Sequence, residues 1–194
     1  MRLGFRSIIG LIAVVLFPGA VVAQDHDMAI GSPDAPVTII EYASMSCPHC
    51  ASFHNERLPW LKKTYLDTGK ARLVFRDFPL NAPALSGAML AHCAGPERFF
   101  GVVEMLFRRQ KDWAFGDNHK ADLAAVAKPL GIGQEEFDRC LADEALKKKI
   151  VESRMAAMNA HELKSTPSFI IDGKVHAGVL SEETLTNLIE AAAK

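Results

Sequence analysis

Several features that would point to a particular class of protein are scarce in this sequence. Its 194 residues include 22 basic and 23 acidic side chains, so the formal net charge is only −1. This balance provides neither the positive field that nucleic-acid-binding proteins present nor an acidic tail. The basic run at residues 147–149 flanks an amphipathic stretch and is interpreted as the solvated face of a helix.

Cysteine is also scarce, with four residues in the chain. A chain of this length is expected to form one domain with a substantial core, so disulfides are not needed merely to hold a small fold together. Cys93 and Cys140 stand alone, and the seven histidines are scattered, which gives little support for a zinc site. The sequence shows no internal repeat and no low-complexity segment.

The longest apolar run lies at the N-terminus. Two arginines precede the run IIGLIAVVLF, which is followed by Pro18 and the small-residue end VVA. This order is typical of a secretory signal and predicts that residues 1–23 are a signal peptide, cut after Ala23. An uncleaved anchor is the alternative, but the run is shorter than the ~18 apolar residues that a membrane span needs. All four cysteines belong to residues 24–194, which are therefore expected outside the reducing cytosol.

Strand and helix patterns alternate in the first part of this mature chain. The segment VTIIEYA, residues 37–43, is almost continuously apolar, which predicts a central strand buried on both faces. A helical pattern extends from Pro48 to about Leu66, and Pro59 is expected to kink it because proline lacks a backbone donor. The segment ARLVFRDF, residues 71–78, predicts a second strand. Strand, helix and strand in this order form a βαβ unit with parallel strands.

The end of the chain predicts a hairpin followed by a helix. The segments PSFIID (167–172) and VHAG (175–178) are joined by the turn GK, and a final helix begins near Ser181. Between the two ends, residues 83–163 are predicted to be helical throughout, with helices at 84–94, 97–110, 121–130, 134–141 and 144–162. The predicted fold class is therefore an α/β sandwich with an inserted all-helical subdomain.

The motif CPHC places Cys47 and Cys50 three positions apart, at the boundary between the predicted strand and helix. Three interpretations are open: a structural disulfide, half of a zinc site, or a redox-active pair. A disulfide across two intervening residues closes a very short loop and gains little loop entropy. A zinc site lacks its second pair of ligands. We therefore interpret the pair as redox-active.

The position of the motif divides the work between the two cysteines. Cys47 faces the first free N–H groups of the helix, and these donors and the helix dipole favour its thiolate. Cys50 lies one turn further in and is expected to be less exposed. Cys47 is therefore predicted to form a mixed disulfide with a substrate, and Cys50 to resolve or re-form the bond. A protonated His49 adds a nearby cation that stabilises the thiolate.

Together these features resemble the DsbA-type branch of the thioredoxin superfamily. The resemblance rests on EYASMSCPHC, on STPSF at 165–169, on the hairpin IIDGKVHAG and on the helical block, so it covers essentially all of the mature chain. It implies a thioredoxin fold with a helical insertion, and protein dithiol oxidation in the periplasm without a cofactor other than the cysteine pair. It also implies that the clients are reduced or unfolded exported proteins, and that a DsbB-type membrane quinone oxidase recharges the pair.

The resemblance implies roles for further residues. Pro167 is expected to be cis and to pack beside the cysteines, while the backbone of Thr166 pairs with an extended client segment. Glu41, six residues before the motif, is expected to accept the Cys50 proton, although it could also be a strand-end residue that reaches solvent. His54 stands where the most familiar members carry an acid, which leaves the tuning of Cys50 open.

The remaining cysteines, Cys93 and Cys140, are expected to form a structural disulfide. Both sit late in predicted helices of the inserted block, and some DsbA-type relatives are similar in carrying a bridge there. Two free thiols in an exported protein would also risk mispairing with the active pair. The alternative is two buried free thiols that act as small apolar residues.

Other functions remain open at this point. The same CxxC chemistry serves disulfide isomerases and reductases. Relatives of the isomerase type carry an N-terminal dimerisation domain, for which the short stretch between the predicted cut and the first strand is too small, so the sequence favours a monomeric oxidase. A non-catalytic binding module with a thioredoxin fold is a further alternative, which the intact cysteine pair and Thr166–Pro167 disfavour.

Overall fold

The computed structural model describes residues 27–194, and the predicted signal peptide lies outside this part of the chain. A mixed five-stranded sheet forms the centre of the described part. Its strands are β1 (Met28–Ile30), β2 (Val37–Ala43), β3 (Ala71–Asp77), β4 (Ser168–Ile171) and β5 (Lys174–Ala177). In space they follow the order β1-β3-β2-β4-β5.

The central strand of the sheet is β2, as the sequence predicts. It pairs in parallel with β3 and antiparallel with β4. Every residue of β2 except Thr38 is buried, because both faces of the sheet are covered, and this explains its nearly continuous apolar sequence. The parallel βαβ unit and the hairpin of β4 and β5 are both confirmed.

The strand β1 is not predicted by the sequence analysis, which identifies only a polar lead before β2. It pairs antiparallel with β3, with Ala29 opposite Val74. Three partly exposed residues are too few to carry an alternating pattern. Just before β1, the Asp27 carboxylate accepts two hydrogen bonds of 2.7 Å from the Arg76 guanidinium, which fixes this edge of the sheet.

Between β2 and β3 the chain is helical from residue 48 to residue 66, as predicted. The segment consists of α1 (Pro48–Ser52), a π-helical turn (Phe53–Arg57), α2 (Leu58–Leu61) and a second π-helical turn (Lys62–Leu66). Pro59 lies in the first turn of α2 and has no N–H to donate, so a regular α-helical ladder cannot continue through it. The wider turns on either side are the distortion that accompanies this proline.

The inserted block and the last helix follow the prediction closely. The helices are α3 (Ala82–Cys93), α4 (Pro96–Arg108), α5 (Gln110–Trp113), α6 (His119–Ala127), α7 (Gln134–Leu141), α8 (Glu144–His161) and α9 (Glu182–Ala192). The helix predicted at 97–110 ends earlier, and the short α5 after it was not predicted. Ser181 caps α9 as expected, because its hydroxyl oxygen accepts the Thr184 N–H at 3.1 Å. Across residues 27–194, none of the helices combines the length and the apolar character that crossing a membrane requires.

The sheet separates two apolar layers. On one face, residues such as Ile39 pack with the helical segment that follows β2 and with α9. On the other face, residues such as Ile40 pack against α8. A third cluster fills the helical block and extends to Ala43 and both cysteines of CPHC. The motif therefore lies where the end of β2 meets the inserted helices.

Candidate active site

The CPHC motif lies at the carboxyl end of the central strand. After β2 ends, the chain turns, and the Cys47 N–H donates to the Ser44 carbonyl at 3.0 Å. Cys47 is the N-cap of α1, with extended backbone angles (φ −83°, ψ 119°), and Pro48 follows inside the first turn. The sulfur of Cys47 therefore lies at the amino end of a helix, where unpaired N–H groups collect.

The environment of Cys47 favours its thiolate. The pKa of the Cys47 thiol is lowered from an ordinary 9.0 to about 5, chiefly because the Cys50 side chain donates a hydrogen bond to its sulfur. The backbone N–H groups of Cys50 and His49 lower this pKa further, whereas burial acts in the opposite direction. Because the donors outweigh the loss of hydration, Cys47 is mostly ionised at neutral pH.

The environment of Cys50 has the opposite effect. Burial raises the pKa of the Cys50 thiol far above its ordinary value, and the hydrogen bond to Cys47 and the negative charge of Glu41 raise it further. Cys50 is 0% exposed and Cys47 is 6% exposed, and both are free thiols. Cys47 is thus more covered than the sequence analysis expects, but of the two sulfurs it is the one that solvent reaches.

The side chain of His49 is exposed beside the cysteines. Its backbone N–H is among the groups that lower the pKa of Cys47. The stabilising role expected of its imidazole stays a prediction.

Glu41 does not reach solvent, which removes the alternative that it is an exposed strand-end residue. It is 0% exposed in β2, and Nε2 of His54 lies 3.1 and 3.0 Å from its two carboxylate oxygens. The His54 ring is packed against Phe107, with ring centroids 4.3 Å apart. The buried carboxylate is therefore hydrogen-bonded, as a charge in an apolar layer requires. The sequence marks His54 only as a departure from familiar members, although its position four residues after Cys50 could have placed it on the same helix face.

His54 also lines a groove of about 410 Å³ beside the helical segment that follows β2. Leu58 and Phe100 form apolar parts of this groove, and Lys62 and Arg108 contribute charged groups. One side of the buried pair of Glu41 and His54 therefore borders an open cavity.

The Thr166–Pro167 peptide bond is cis, as the resemblance implies, and it lies next to the cysteines. The Cys47 thiol donates to the Thr166 carbonyl at 3.2 Å. The hydroxyl oxygen of Thr166 is buried and has no hydrogen-bond partner among the described residues. The chain then enters β4, and the Pro167 carbonyl accepts the Gly178 N–H at 2.8 Å. The structure thus brings the predicted loop against the reactive sulfur.

The turn before α1 is held by two side chains that the sequence analysis did not single out. The Ser46 hydroxyl donates to Oδ1 of Asn81 at 3.0 Å. Nε2 of Gln110 donates to the backbone carbonyls of Met45 and Cys47 at 2.9 and 3.0 Å. Asn81 could have been found from its place before the α3 pattern, as a helix cap. Gln110 carries no such signal, because a buried glutamine and an exposed one look the same in a sequence.

A disulfide joins Cys93 at the end of α3 to Cys140 in α7, with an S–S distance of 2.00 Å and a Cα–Cα distance of 5.5 Å. Cys140 is fully buried in the core of the helical block. The active pair accounts for the free thiols of the described residues. Within residues 27–194, no group of three or more His, Cys, Asp or Glu side chains could hold a metal ion.

Comparisons with known proteins give the family of this fold. A family model described as thioredoxin matches residues 23–191. The crystal structure of Wolbachia pipientis alpha-DsbA1 is similar with a TM-score of 0.82 and 31% identity, over 89% of this chain and 94% of that chain. The structure of a protein-disulfide isomerase from Novosphingobium aromaticivorans is similar with a TM-score of 0.75 and 28% identity, over 89% of this chain and 100% of that chain.

A curated relative extends the comparison to full-length sequences. A Rickettsia conorii protein, provisionally named a protein-disulfide oxidoreductase, is 32% identical over 170 residues, or 87% of this chain. The match covers 61% of that protein, so the chain spans about three fifths of the length of such relatives. The predicted thioredoxin fold with its helical insertion is confirmed. The chain belongs to the thioredoxin family, in its DsbA-type branch.

Proposed function

We propose that this protein is an exported thiol:disulfide oxidoreductase that donates its Cys47–Cys50 disulfide to reduced proteins. The observation that carries the proposal is the opposite tuning of the two thiols. The pKa of Cys47 is lowered to about 5, while burial and nearby negative charge raise the pKa of Cys50. A pair with one stabilised thiolate and one protonated thiol is suited to disulfide exchange.

The reaction runs through a mixed disulfide at Cys47. A client thiolate attacks the Cys47 sulfur, the Cys47–Cys50 bond breaks, and the Cys50 sulfur leaves and takes up a proton. A second client thiolate then attacks the client sulfur of the mixed disulfide, and Cys47 leaves as a thiolate. The client loses two electrons and two protons; the enzyme takes up both electrons and one proton, and the other proton passes to solvent.

The direction of the reaction follows from the charge on Cys47. Only the reduced enzyme contains the thiolate, so groups that stabilise it also stabilise the reduced form. Each pKa unit below the ambient pH is worth about 1.4 kcal/mol, which for two electrons corresponds to about 30 mV. A Cys47 pKa of about 5 therefore makes the disulfide form an oxidant.

Glu41 and His54 supply the proton that Cys50 takes up, and accept it again when Cys50 attacks. The Glu41 charge acts on Cys50, and Nε2 of His54 lies within hydrogen-bonding distance of both Glu41 oxygens. His54 lines the groove beside the helical segment that follows β2, and protons pass between the buried pair and solvent through this groove.

Clients are reduced or unfolded exported proteins, whose extended segments pair with the backbone of Thr166 beside Pro167. The reduced enzyme is recharged by a DsbB-type membrane quinone oxidase, which removes the two electrons. The predicted signal peptide supports a periplasmic location, and the protein acts as a monomer.

A disulfide isomerase is the second candidate, because a structural relative from Novosphingobium aromaticivorans carries that name. The two functions differ in what the reduced enzyme does. An isomerase in its reduced form rearranges wrong disulfides, whereas an oxidase in its oxidised form introduces them. A binding module with this fold would act without its cysteines.

The test uses a reduced, unfolded protein whose native disulfides are known. The oxidised enzyme should introduce disulfides stoichiometrically. Cys50→Ala, first converted to a mixed disulfide of Cys47 with thionitrobenzoate, should exchange with a client thiol, release thionitrobenzoate and accumulate a covalent one-to-one adduct through Cys47. The double variant Cys93→Ala/Cys140→Ala keeps the active pair and should still introduce disulfides into the client. Wild-type protein that introduces no disulfides, together with client binding that is unchanged in Cys47→Ser, would instead support the binding module.

A further inference from the structure

The turn that carries Cys47 is fixed by the inserted helical block. Gln110, the first residue of α5, donates from one amide nitrogen to the Met45 carbonyl at 2.9 Å and to the Cys47 carbonyl at 3.0 Å. Gln110 is only 5% exposed, so these bonds do not compete with bulk water. A single side chain of the insertion thus binds two backbone carbonyls of the turn that leads into α1.

Packing around this contact leaves the turn little room to move. Met45 is 1% exposed, and Trp113, three residues after Gln110, is 0% exposed. A Cβ atom added to Gly87 of α3 would lie 2.9 Å from the Trp113 ring and 3.2 Å from the Met45 Cβ. The backbone of α3 therefore approaches the turn closely, and α3 and α5 enclose it together.

The bond to the Cys47 carbonyl bears directly on the reactive sulfur. The same carbonyl oxygen accepts the Ala51 N–H at 3.1 Å, the first backbone hydrogen bond of the helix. Two donors from different directions fix the peptide plane between Cys47 and Pro48. The orientation of that plane determines where the Cys47 side chain points relative to the free N–H groups of the helix.

We infer that Gln110 is a positioning residue, which holds the Cys47 peptide so that the sulfur faces the first N–H groups of α1. The inference rests on the proposed function for its biological meaning, but the geometry can be tested without a client. It gives the helical insertion a role in the chemistry, because the insertion orients the nucleophile in addition to covering the site.

The experiment measures the alkylation rate of reduced protein against pH. Gln110→Met keeps the length of the side chain and removes the donor, so the titration midpoint of Cys47 should rise by about one unit, which lowers the thiolate fraction at pH 5 about fivefold. Asn55→Leu is the matched control. It removes a side-chain amide that donates to the Phe107 carbonyl at 3.3 Å, between the same two parts of the molecule but away from the turn. Asn55→Leu should have the same Cys47 titration midpoint as the wild type.

If folded Gln110→Met protein has the same Cys47 titration midpoint as the wild type, the inference is overturned and Gln110 has a structural role only. If that variant does not fold, Gln110→Asn keeps an amide that is one methylene too short, and an unchanged midpoint there would overturn the inference equally. Wild-type protein that titrates near 9 would count against the proposed function instead, so the two failures are distinguishable.

Discussion

At the scale of single residues, the site depends on the different surroundings of two cysteines that stand three positions apart. Donors from α1 stabilise a charge on Cys47, while the apolar cluster and Glu41 disfavour one on Cys50. We propose that the Glu41–His54 pair acts as a proton store beside the buried thiol. The reactivity therefore follows from where each sulfur lies, since both belong to the same short motif.

The first prediction concerns Glu41. Glu41→Gln keeps the shape of the side chain but removes the proton store, so disulfide donation to a reduced client peptide should slow about tenfold or more. The Cys47 midpoint, measured by alkylation, should change little, because its largest determinants are donors at the helix end. Stopped-flow rates between pH 5 and 8 provide the measurement.

Glu104→Gln is the control for this prediction, because it removes an exposed carboxylate that pairs with Arg108 near the same groove. Its rates should match those of the wild type. Equal rates for Glu41→Gln and the wild type across this pH range would remove Glu41 from the mechanism.

The sequence identifies the residues whose role depends on elements that are adjacent in the chain. Cys47 and Cys50 follow from a strand, a short motif and a helix in direct succession, and their placement requires no long-range information. His54 lies 13 residues from Glu41, and its spacing of four residues from Cys50 is a weak local signal for its place. Gln110 depends on a contact between segments that are distant in the chain, 63 residues apart for Gln110 and Cys47. A single sequence carries no signal for such contacts. The cis bond before Pro167 likewise followed only from the resemblance.

At the scale of elements, long segments were predictable and short ones were not. The strand at 37–43 was predicted with the bounds that the structure has, because its apolar run is continuous. By contrast, β1 has three residues and α5 has four, which is less than two periods of either pattern. The packing of these short elements against β3 and the active-site turn, and not their local sequence, determines that they form.

The second prediction concerns the disulfide between α3 and α7. Because the stabilised Cys47 thiolate makes the active pair the easier one to reduce, and Cys140 is fully buried, a mild dithiol should reduce Cys47–Cys50 while Cys93–Cys140 stays closed. Alkylation followed by mass mapping should find label on the active pair alone. The chain-entropy model for a loop of this size gives about 4 kcal/mol of stabilisation as an upper guide.

The untreated, oxidised protein is the control for this experiment and should take up no label. Label on Cys93 and Cys140 in that sample would contradict the bridge. Simultaneous opening of both disulfides under mild reduction would contradict its protection by the core.

At the scale of the whole molecule, the two parts of the fold contribute different things to one site. The thioredoxin part supplies the strand, the helix and the Thr166–Pro167 loop, and the insertion supplies the apolar cover and the Gln110 contact. Redox state and folding stability are therefore linked, because the charge on Cys47 exists only in the folded environment that stabilises it.

The third prediction follows from this link. The folded pKa of Cys47, about 5, lies below its ordinary value of 9.0, so the extra stability of the reduced protein is complete above pH 9 and is lost as the pH falls through 5. Cys50 stays protonated over this window and does not change the sign. The Tm of the reduced protein minus that of the oxidised protein should shrink by roughly 5 °C or more between pH 8 and pH 5.

The difference in Tm between the two redox forms removes the pH dependence of the groups that titrate in both forms. A Tm difference that stays constant between pH 8 and pH 5 would show that Cys47 has no lowered pKa in the folded protein. A difference that grows as the pH falls would reverse the assignment of the charged form.

The measurement that tests the central claim most directly is the reduction potential of the Cys47–Cys50 couple, obtained by equilibration with glutathione buffers at pH 7. The stabilised Cys47 thiolate predicts an oxidising couple, half reduced at a potential less negative than about −200 mV. A couple that is half reduced near the value of thioredoxin, about −270 mV, would show that the environment of Cys47 does not make this protein an oxidant.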